Sequence, residues 1–225
     1  VGWPLDTTTY GGSWMYHYGS NLVSVGYVVG LDYQNPYLSP FNEMQKFKTH
    51  PHVSQLLSGA RRVAYGARAL SEGGLQSLPK LSFAGGVLIG DAAGFLNVPK
   101  IKGNHAAMKS GMLAAEAIAA GFADGTLTAG GECLGYTPRF RESWLYKELK
   151  AVRNIRPGFH RGLWWGMLNA AVETLTCGLL PWTLKNRADH DSLSRSKDSQ
   201  PIDYPKPDGV LTFDRLSSVF LSGTN

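Results

Sequence analysis

Cysteine is scarce in this chain: its 225 residues hold two, Cys133 and Cys177. Two cysteines so far apart give neither a disulfide scaffold nor a metal site built from cysteine alone. Charged residues are few as well, 17% against 43% hydrophobic. That balance excludes a disordered chain, which needs charge and lacks apolar residues to bury. The 27 Gly and 12 Pro follow no period, which excludes collagen-like order. There is no internal repeat or low-complexity tract, and no G-x-G-x-x-G opening a helix after a strand. The first residue is Val1, with no initiator Met and no charged-then-apolar leader, so the chain reads as a piece of a longer one.

The basic excess is local. Arg139, Arg141, Lys147, Lys150, Arg153, Arg156 and Arg161 stand against Glu142 and Glu148, which matches the net charge of +5 of the whole chain. Trp144, Tyr146 and Phe159 are interleaved, but no RNA- or DNA-binding signature surrounds them, so no nucleic acid is expected. Two readings of the run remain: a solvated helix face, or contact with anionic lipid headgroups.

The patterning predicts α/β (α+β) order. Trp14 to Tyr18 and Leu22 to Asp32 read as strands, the second with period-two alternation, joined through Gly19-Ser20 as a II′ hairpin turn. Ser39-Pro40 opens a helix carrying Phe41, Met44 and Phe47, and a second short helix runs from His52 to Ser58. Arg62 to Leu70 and Leu78 to Phe83 read as further strands. The run AGGVLIGDAAGF holds a short strand, Val87 to Ile89, ending in Gly90-Asp91. After a loop, Gly103-Asn104 opens an Ala-rich helix to about Phe122, with small residues at Ala107, Gly111, Ala115 and Ala119 on one face. Gly162 to Leu184 is the most apolar stretch, with Trp164, Trp165 and Trp182. Its length raises a transmembrane reading. Glu173, Gly178, Pro181 and the basic flanks favour a helix at the bilayer surface instead. Asn186 to Gly209 is polar and Pro-rich and reads as an extended connector.

The strand, Gly-Asp, loop and Gly-Asn helix start make the sharpest candidate site. A carboxylate at the end of a parallel strand accepts hydrogen bonds from sugar-like hydroxyls, and a helix start offers free N–H groups and a positive dipole end to a negative ligand. Asp91 would be the hydroxyl acceptor, with the backbone of Gly103, Asn104 and His105 facing the charge. From the residues alone a plainer reading also stands, in which Asp91 caps a turn and Gly103 permits it.

The segment GVLIGDAAGFLNVPKIKGNHAAMKSGMLAAEA resembles the second FAD-binding motif of the glutathione-reductase-type flavoproteins. TYGGSWMYHYGSN, VVGLDYQNPYLSPF, FKTHP, RALSEGGLQSLPKLSFAGGVLIGDAAGFLNVPKIKG and CGLLPW are similar to the electron-transfer-flavoprotein:ubiquinone oxidoreductase family. The resemblance covers nearly the whole chain. It implies a membrane-associated enzyme with FAD and a [4Fe–4S] cluster, passing electrons from reduced electron transfer flavoprotein to ubiquinone.

By that resemblance Gly90 and Asp91 bind the FAD ribityl chain. Gly103, Asn104 and His105 form the helix start beside the flavin pyrimidine edge. The family often has Thr where this chain has Asn104 and Ala106. Gly11 and Gly12 match a Gly-Gly that brings backbone against the quinone head, and His17 is a nearby candidate proton donor. Leu179, Leu180 and Trp182 are candidates for a dip into an anionic lipid surface, in the mitochondrial inner membrane or a bacterial cytoplasmic membrane. No catalytic side chain and no metal ligand is assigned, because the flavin and a cluster with ligands outside the chain carry the electrons. The implied organisation is a portion of a glutathione-reductase-type FAD domain joined to a mixed-sheet quinone domain. Its segments are 1–83 (quinone domain part), 84–135 (end of the FAD domain), 136–185 (helical, membrane-surface part) and 186–225 (connector to the iron–sulfur domain). A flavin-dependent prenyl (geranylgeranyl) reductase and a non-catalytic membrane-docking module are the rival readings.

Overall fold

In the computed structural model, which describes residues 2–223, the alternating stretch near the start folds as an antiparallel hairpin. Strand β1 (Gly11–Tyr18) pairs with β2 (Leu22–Val29), with Gly11 opposite Val29 and Tyr18 opposite Leu22. The register leaves three residues in the turn rather than the two expected, and Gly19 supplies the positive φ of +61°. The Trp14 ring lies over Gly26 directly across the sheet, where a Cβ would collide with the indole.

Helix α1 (Pro40–Lys48) starts as predicted: the Ser39 hydroxyl caps the Asn42 N–H, and Pro40 occupies the first turn. Helix α2 (Pro51–Leu56) follows after the break at Pro51. The hairpin packs on α1 through Tyr27 and Phe47, whose ring centroids are 5.2 Å apart. The buried positions of α1 are polar, Glu43, Gln45 and Lys48, because the late segment of the chain covers them. The Tyr204 hydroxyl donates to Glu43 Oε1 (2.7 Å), and the Phe213 N–H donates to Gln45 Oε1 (2.9 Å). Residues 1–68 and 187–225 therefore form one compact unit, and the predicted connector clasps α1 as extended chain.

The strand expected over Arg62 to Leu70 is not formed. Arg62 instead donates to the hydroxyls of Ser218 (2.6 Å) and Ser217 (3.1 Å), and the Tyr65 N–H reaches the Leu221 carbonyl, so side chains and α9 (Arg215–Phe220) take the bonds a sheet would have used.

Lys48 carries a consequence for pH. The residue is buried, and its ammonium lies 4.6 Å from the centroid of the Phe213 ring that also carries the Arg62 guanidinium at 3.9 Å. Burial pushes its pKa down to about 8, and the Arg62 charge pushes the same way. Between pH 8 and the ordinary lysine value the unfolded chain holds a proton that the native chain has lost, so stability rises with pH across that window. Thermal midpoints of the wild type and Lys48→Met should therefore converge from pH 7 to 10. A gap that stays constant with pH would refute this. Tyr27, with its pKa raised to about 12 by burial, pulls stability down above pH 10 in both proteins and cancels in the comparison.

The second unit, residues 69–186, is mostly helical. It contains β3 (Ser82–Phe83), β4 (Gly86–Val87), α3 (Gly90–Ala93), α4 (Asn104–Ala123), α5 (Tyr136–Glu142), α6 (Trp144–Ala151), α7 (Ile155–Gly158) and α8 (Leu163–Leu175). The compact units cut the chain differently from the four functional segments read in the sequence. The parallel strand expected at Val87 to Ile89 is replaced by a two-residue antiparallel pairing of β3 with β4, since a parallel partner requires a crossover and the nearest strand available is the hairpin mate. The core gathers Phe95, Leu113, Leu127, Tyr136, Phe140, Leu145 and Leu149. Helix α4 buries Ala106, Ser110, Leu113, Ala114, Ala117 and Gly121. The small-residue face singled out in the sequence is the adjacent stripe, of which Ala115 and Ala119 are exposed.

Candidate functional site

Gly90 opens α3 at φ +57°, and its N–H donates to the Ser110 hydroxyl of α4 at 2.9 Å. Gly94, at φ +83°, closes that turn, with its N–H on the Asp91 carbonyl. The chain then loops through buried Phe95 to Val98 and returns at Gly103 to start α4. The return brings the two halves of the predicted site together. A Cβ on Gly103 would stand 2.9 Å from Asp91 Oδ1 and 3.3 Å from Leu96 Cδ1. Asp91 sits in the first turn of a short helix rather than at a strand end, and both Asp91 and Asn104 are exposed.

No side chain caps α4, so the amides at its start keep free donor capacity and a positive dipole end. The Asp91 carboxylate beside them already supplies negative charge. A ligand fitting both elements offers hydroxyl donors to Asp91 and a partially negative, hydrogen-bond-accepting edge to the amides.

His105 is fixed from behind. Its Nε2 lies 3.0 Å from Glu148 Oε1, and its ring stacks on Trp144 with centroids 5.9 Å apart and planes inclined by 10°. Glu148 also accepts from Asn97 Nδ2 (2.6 Å) and from Lys100 Nζ (3.4 Å). Partial burial raises the Glu148 pKa, but the hydrogen bonds from His105 and Asn97 outweigh it and hold the carboxyl below its usual range. Helix α6 thus ties down the loop that leads into α4. Sequence reasoning missed Ser110, Asn97, Trp144 and Glu148 in these roles. The one signal available was a polar Ser110 inside an otherwise small-residue helix.

Gly11 and Gly12 lie inside β1, in the other unit, and differ in their surroundings. A Cβ on Gly11 would run into the Val28 carbonyl oxygen and the Leu5 side chain, whereas one on Gly12 would meet nothing within 4 Å. His17 is exposed and five residues along the strand from Gly12, roughly 17 Å at ~3.4 Å per residue. A proton transfer from His17 to a quinone head at Gly12 does not fit that separation.

Helix α8 ends at Leu175, and Leu179 follows it in sequence. Leu179 is 83% exposed and Trp182 52%, with Trp164 and Leu175 at 83% and 84%, while Leu180 is half-buried. No helix among the described residues is long and apolar enough to cross a membrane. Arg153, counted in the sequence with the basic run, is turned inward and buried, because backbone carbonyls of the chain after α8 engage it. Among the described residues no group of three or more His, Cys, Asp or Glu could hold a metal ion. The two cysteines, one buried and one exposed, give no ligand set for an iron–sulfur cluster.

Residues 1–70 match the family described as ETF-QO, ubiquinone-binding. Over its whole length the chain is 57% identical to electron transfer flavoprotein-ubiquinone oxidoreductase, mitochondrial, of Rattus norvegicus, covering 38% of that protein. It is 51% identical to the protein of the same name from Caenorhabditis elegans, covering 39%. It is 49% identical to the probable one of Saccharomyces cerevisiae, again covering 39%. The chain thus spans about two fifths of the length of the curated relatives it matches. Along its whole length the chain is similar in sequence to electron transfer flavoprotein-ubiquinone oxidoreductases.

Proposed function

We propose that this chain is part of a mitochondrial enzyme that passes electrons from reduced electron transfer flavoprotein through FAD to ubiquinone at the inner membrane. The observation that carries the reading is the approach of Asp91 to the start of α4, a cradle that a Cβ at Gly103 would fill. Asp91 would accept from ribityl hydroxyls, and the amides at Asn104 and His105 would face the pyrimidine edge of the ring. When bound, FAD supplies the conversion between two-electron and one-electron transfer. The chain's own residues bind and orient. Gly90 and Ser110 hold α3 against α4, Glu148 and Trp144 hold His105, and the α4 amide end favours negative charge where it develops. The [4Fe–4S] cluster of the resemblance would draw ligands from outside this chain, since two cysteines cannot supply four thiolates.

Gly12 offers the open backbone against which a quinone head would lie. For the membrane, Trp164, Leu175, Leu179 and Trp182 are exposed apolar and aromatic side chains within one stretch of chain, and exposed Arg161 and Lys185 bound that stretch in sequence. Aromatic and aliphatic anchors beside cations match an anionic lipid surface.

The test is flavin content of the intact protein. Asp91→Ala should lower the FAD bound per chain and weaken FAD rebinding to the apoprotein about tenfold to a hundredfold, the effect of losing one or two hydrogen bonds to a charged acceptor. Unchanged occupancy and rebinding would refute the assignment.

A further inference from the structure

The segment that follows α8 is irregular, yet it is held from within. Arg153, 7% exposed, donates Nη1 to the Gly178 carbonyl (2.7 Å) and to that of Lys150 (2.8 Å), and Nη2 to the carbonyls of Leu180 (2.5 Å) and Trp182 (3.1 Å). Its Nε donates to Thr183 Oγ1 at 3.0 Å. Next to it, Asn154 donates Nδ2 to the Trp182 carbonyl (3.1 Å) and accepts the Leu184 N–H at Oδ1 (2.7 Å). Glu173, fully buried in α8, takes the Asn154 N–H (3.3 Å) and Nδ2 (3.1 Å) and lies 3.9 Å from Arg153.

Alternate carbonyls, those of 178, 180 and 182, are therefore drawn to a single guanidinium. These bonds satisfy the inward carbonyls of the segment, while the side chains of Leu179 and Trp182 are exposed. The planar fork of arginine suits this, since its five donors are fixed relative to one another and a lysine ammonium has only three.

We propose that Arg153 is the positioning residue of this apolar loop: it presents Leu179 and Trp182, in a preorganised backbone, to an anionic lipid surface. The inference rests on the membrane reading given above and adds the device that keeps the patch ordered before contact. A loop ordered in advance loses little conformational freedom on insertion, whereas an unanchored one must be ordered at the moment of binding. Arg153 itself does not touch lipid, so the cations meeting headgroups are the exposed ones, Arg161 and Lys185.

The experiment uses the intact protein and vesicles of phosphatidylcholine with anionic phosphatidylglycerol. It measures vesicle affinity and hydrogen exchange of peptides spanning 176–186, compared with peptides from α4. In Arg153→Lys, exchange over 176–186 should accelerate, vesicle affinity should fall about tenfold through the added ordering entropy, and α4 should exchange as in the wild type. The double variant Arg153→Met with Glu173→Gln leaves no unpaired buried charge and should behave alike, which guards against a fold lost to an orphaned carboxylate. General destabilisation would instead speed exchange in α4 as well and would count against a positioning role. Variants that keep wild-type exchange and affinity would overturn the role of Arg153. A wild type that ignores anionic vesicles, or that buries the loop against a second copy of itself in sedimentation, would overturn the membrane reading.

Discussion

Replacing Glu173 with alanine is expected to destabilise the 69–186 unit by about 3–5 kcal/mol, the range for breaking a buried ion pair by removing one partner. Three losses coincide. Arg153 stays buried without a countercharge, the Asn154 N–H loses its acceptor, and a fully enclosed side chain leaves a void in α8. The chain cannot relax easily around the gap. Gly178 follows α8 at φ +73°, with its N–H on the Glu173 carbonyl, and its Cα packs so closely on the Ala151 backbone that any Cβ would collide with it. Glu173→Gln keeps a carbonyl oxygen for Asn154 and should cost much less, about 1–2 kcal/mol, the scale of a weakened charge-assisted hydrogen bond. Urea unfolding of the two variants beside the wild type checks both. If the alanine variant lies within 1 kcal/mol of the wild type, the pair does not hold this corner of the fold.

Much of the local order could be read from the residues. Period-two alternation gave the β1–β2 hairpin, Ser39-Pro40 gave the start of α1, and the Ala-rich run after Gly103 gave α4 almost to its end. These are short-range signals, and local propensity decides them. What escaped depends on partners distant in sequence. The stretch after Arg62 has strand-like residues but no sheet to join, and its donors go to hydroxyls on α9, some 155 positions later. The strand before Gly90 shrank to two residues for want of a parallel neighbour. Glu173 counted in the sequence only against a membrane span. Its partners Arg153 and Asn154 lie about twenty positions earlier in a run of basic residues, where a buried cation looks like any other. An acid at the centre of an apolar stretch, with an Arg-Asn pair upstream, is the signal that could have been read as a buried pair. At the candidate site the approach of Asp91 to Gly103 was the expected geometry, while the bracing from α6 was not legible, since Glu148 reads as one more surface acid.

The glycine pair in β1 separates folding from function more sharply. Gly11→Ala should cost about 1–3 kcal/mol, the usual range for forcing extra atoms into a packed site, because the new methyl is aimed at the Val28 carbonyl across the hairpin and at Leu5. Backbone cannot swing aside as a long side chain can, and Gly11 is held in register opposite Val29. Gly12→Ala has no such obstacle: its methyl meets open space, and the strand conformation there suits any residue. Its effect on stability should stay within about 0.5 kcal/mol. If a quinone head lies against the Gly12 backbone, that same methyl occupies the approach, and the intact enzyme with Gly12→Ala should show a KM for a short-chain ubiquinone raised about tenfold or more, the scale of about 1–3 kcal/mol for one misplaced methyl in a binding pocket. Unaltered KM in Gly12→Ala, with stability also unaltered, would remove Gly12 from the quinone site. A large loss of stability in Gly12→Ala would refute the open surroundings assigned to that residue. The pairing is informative because the two residues are adjacent, share a strand and differ by a single feature, the presence or absence of a neighbour where the side chain would be.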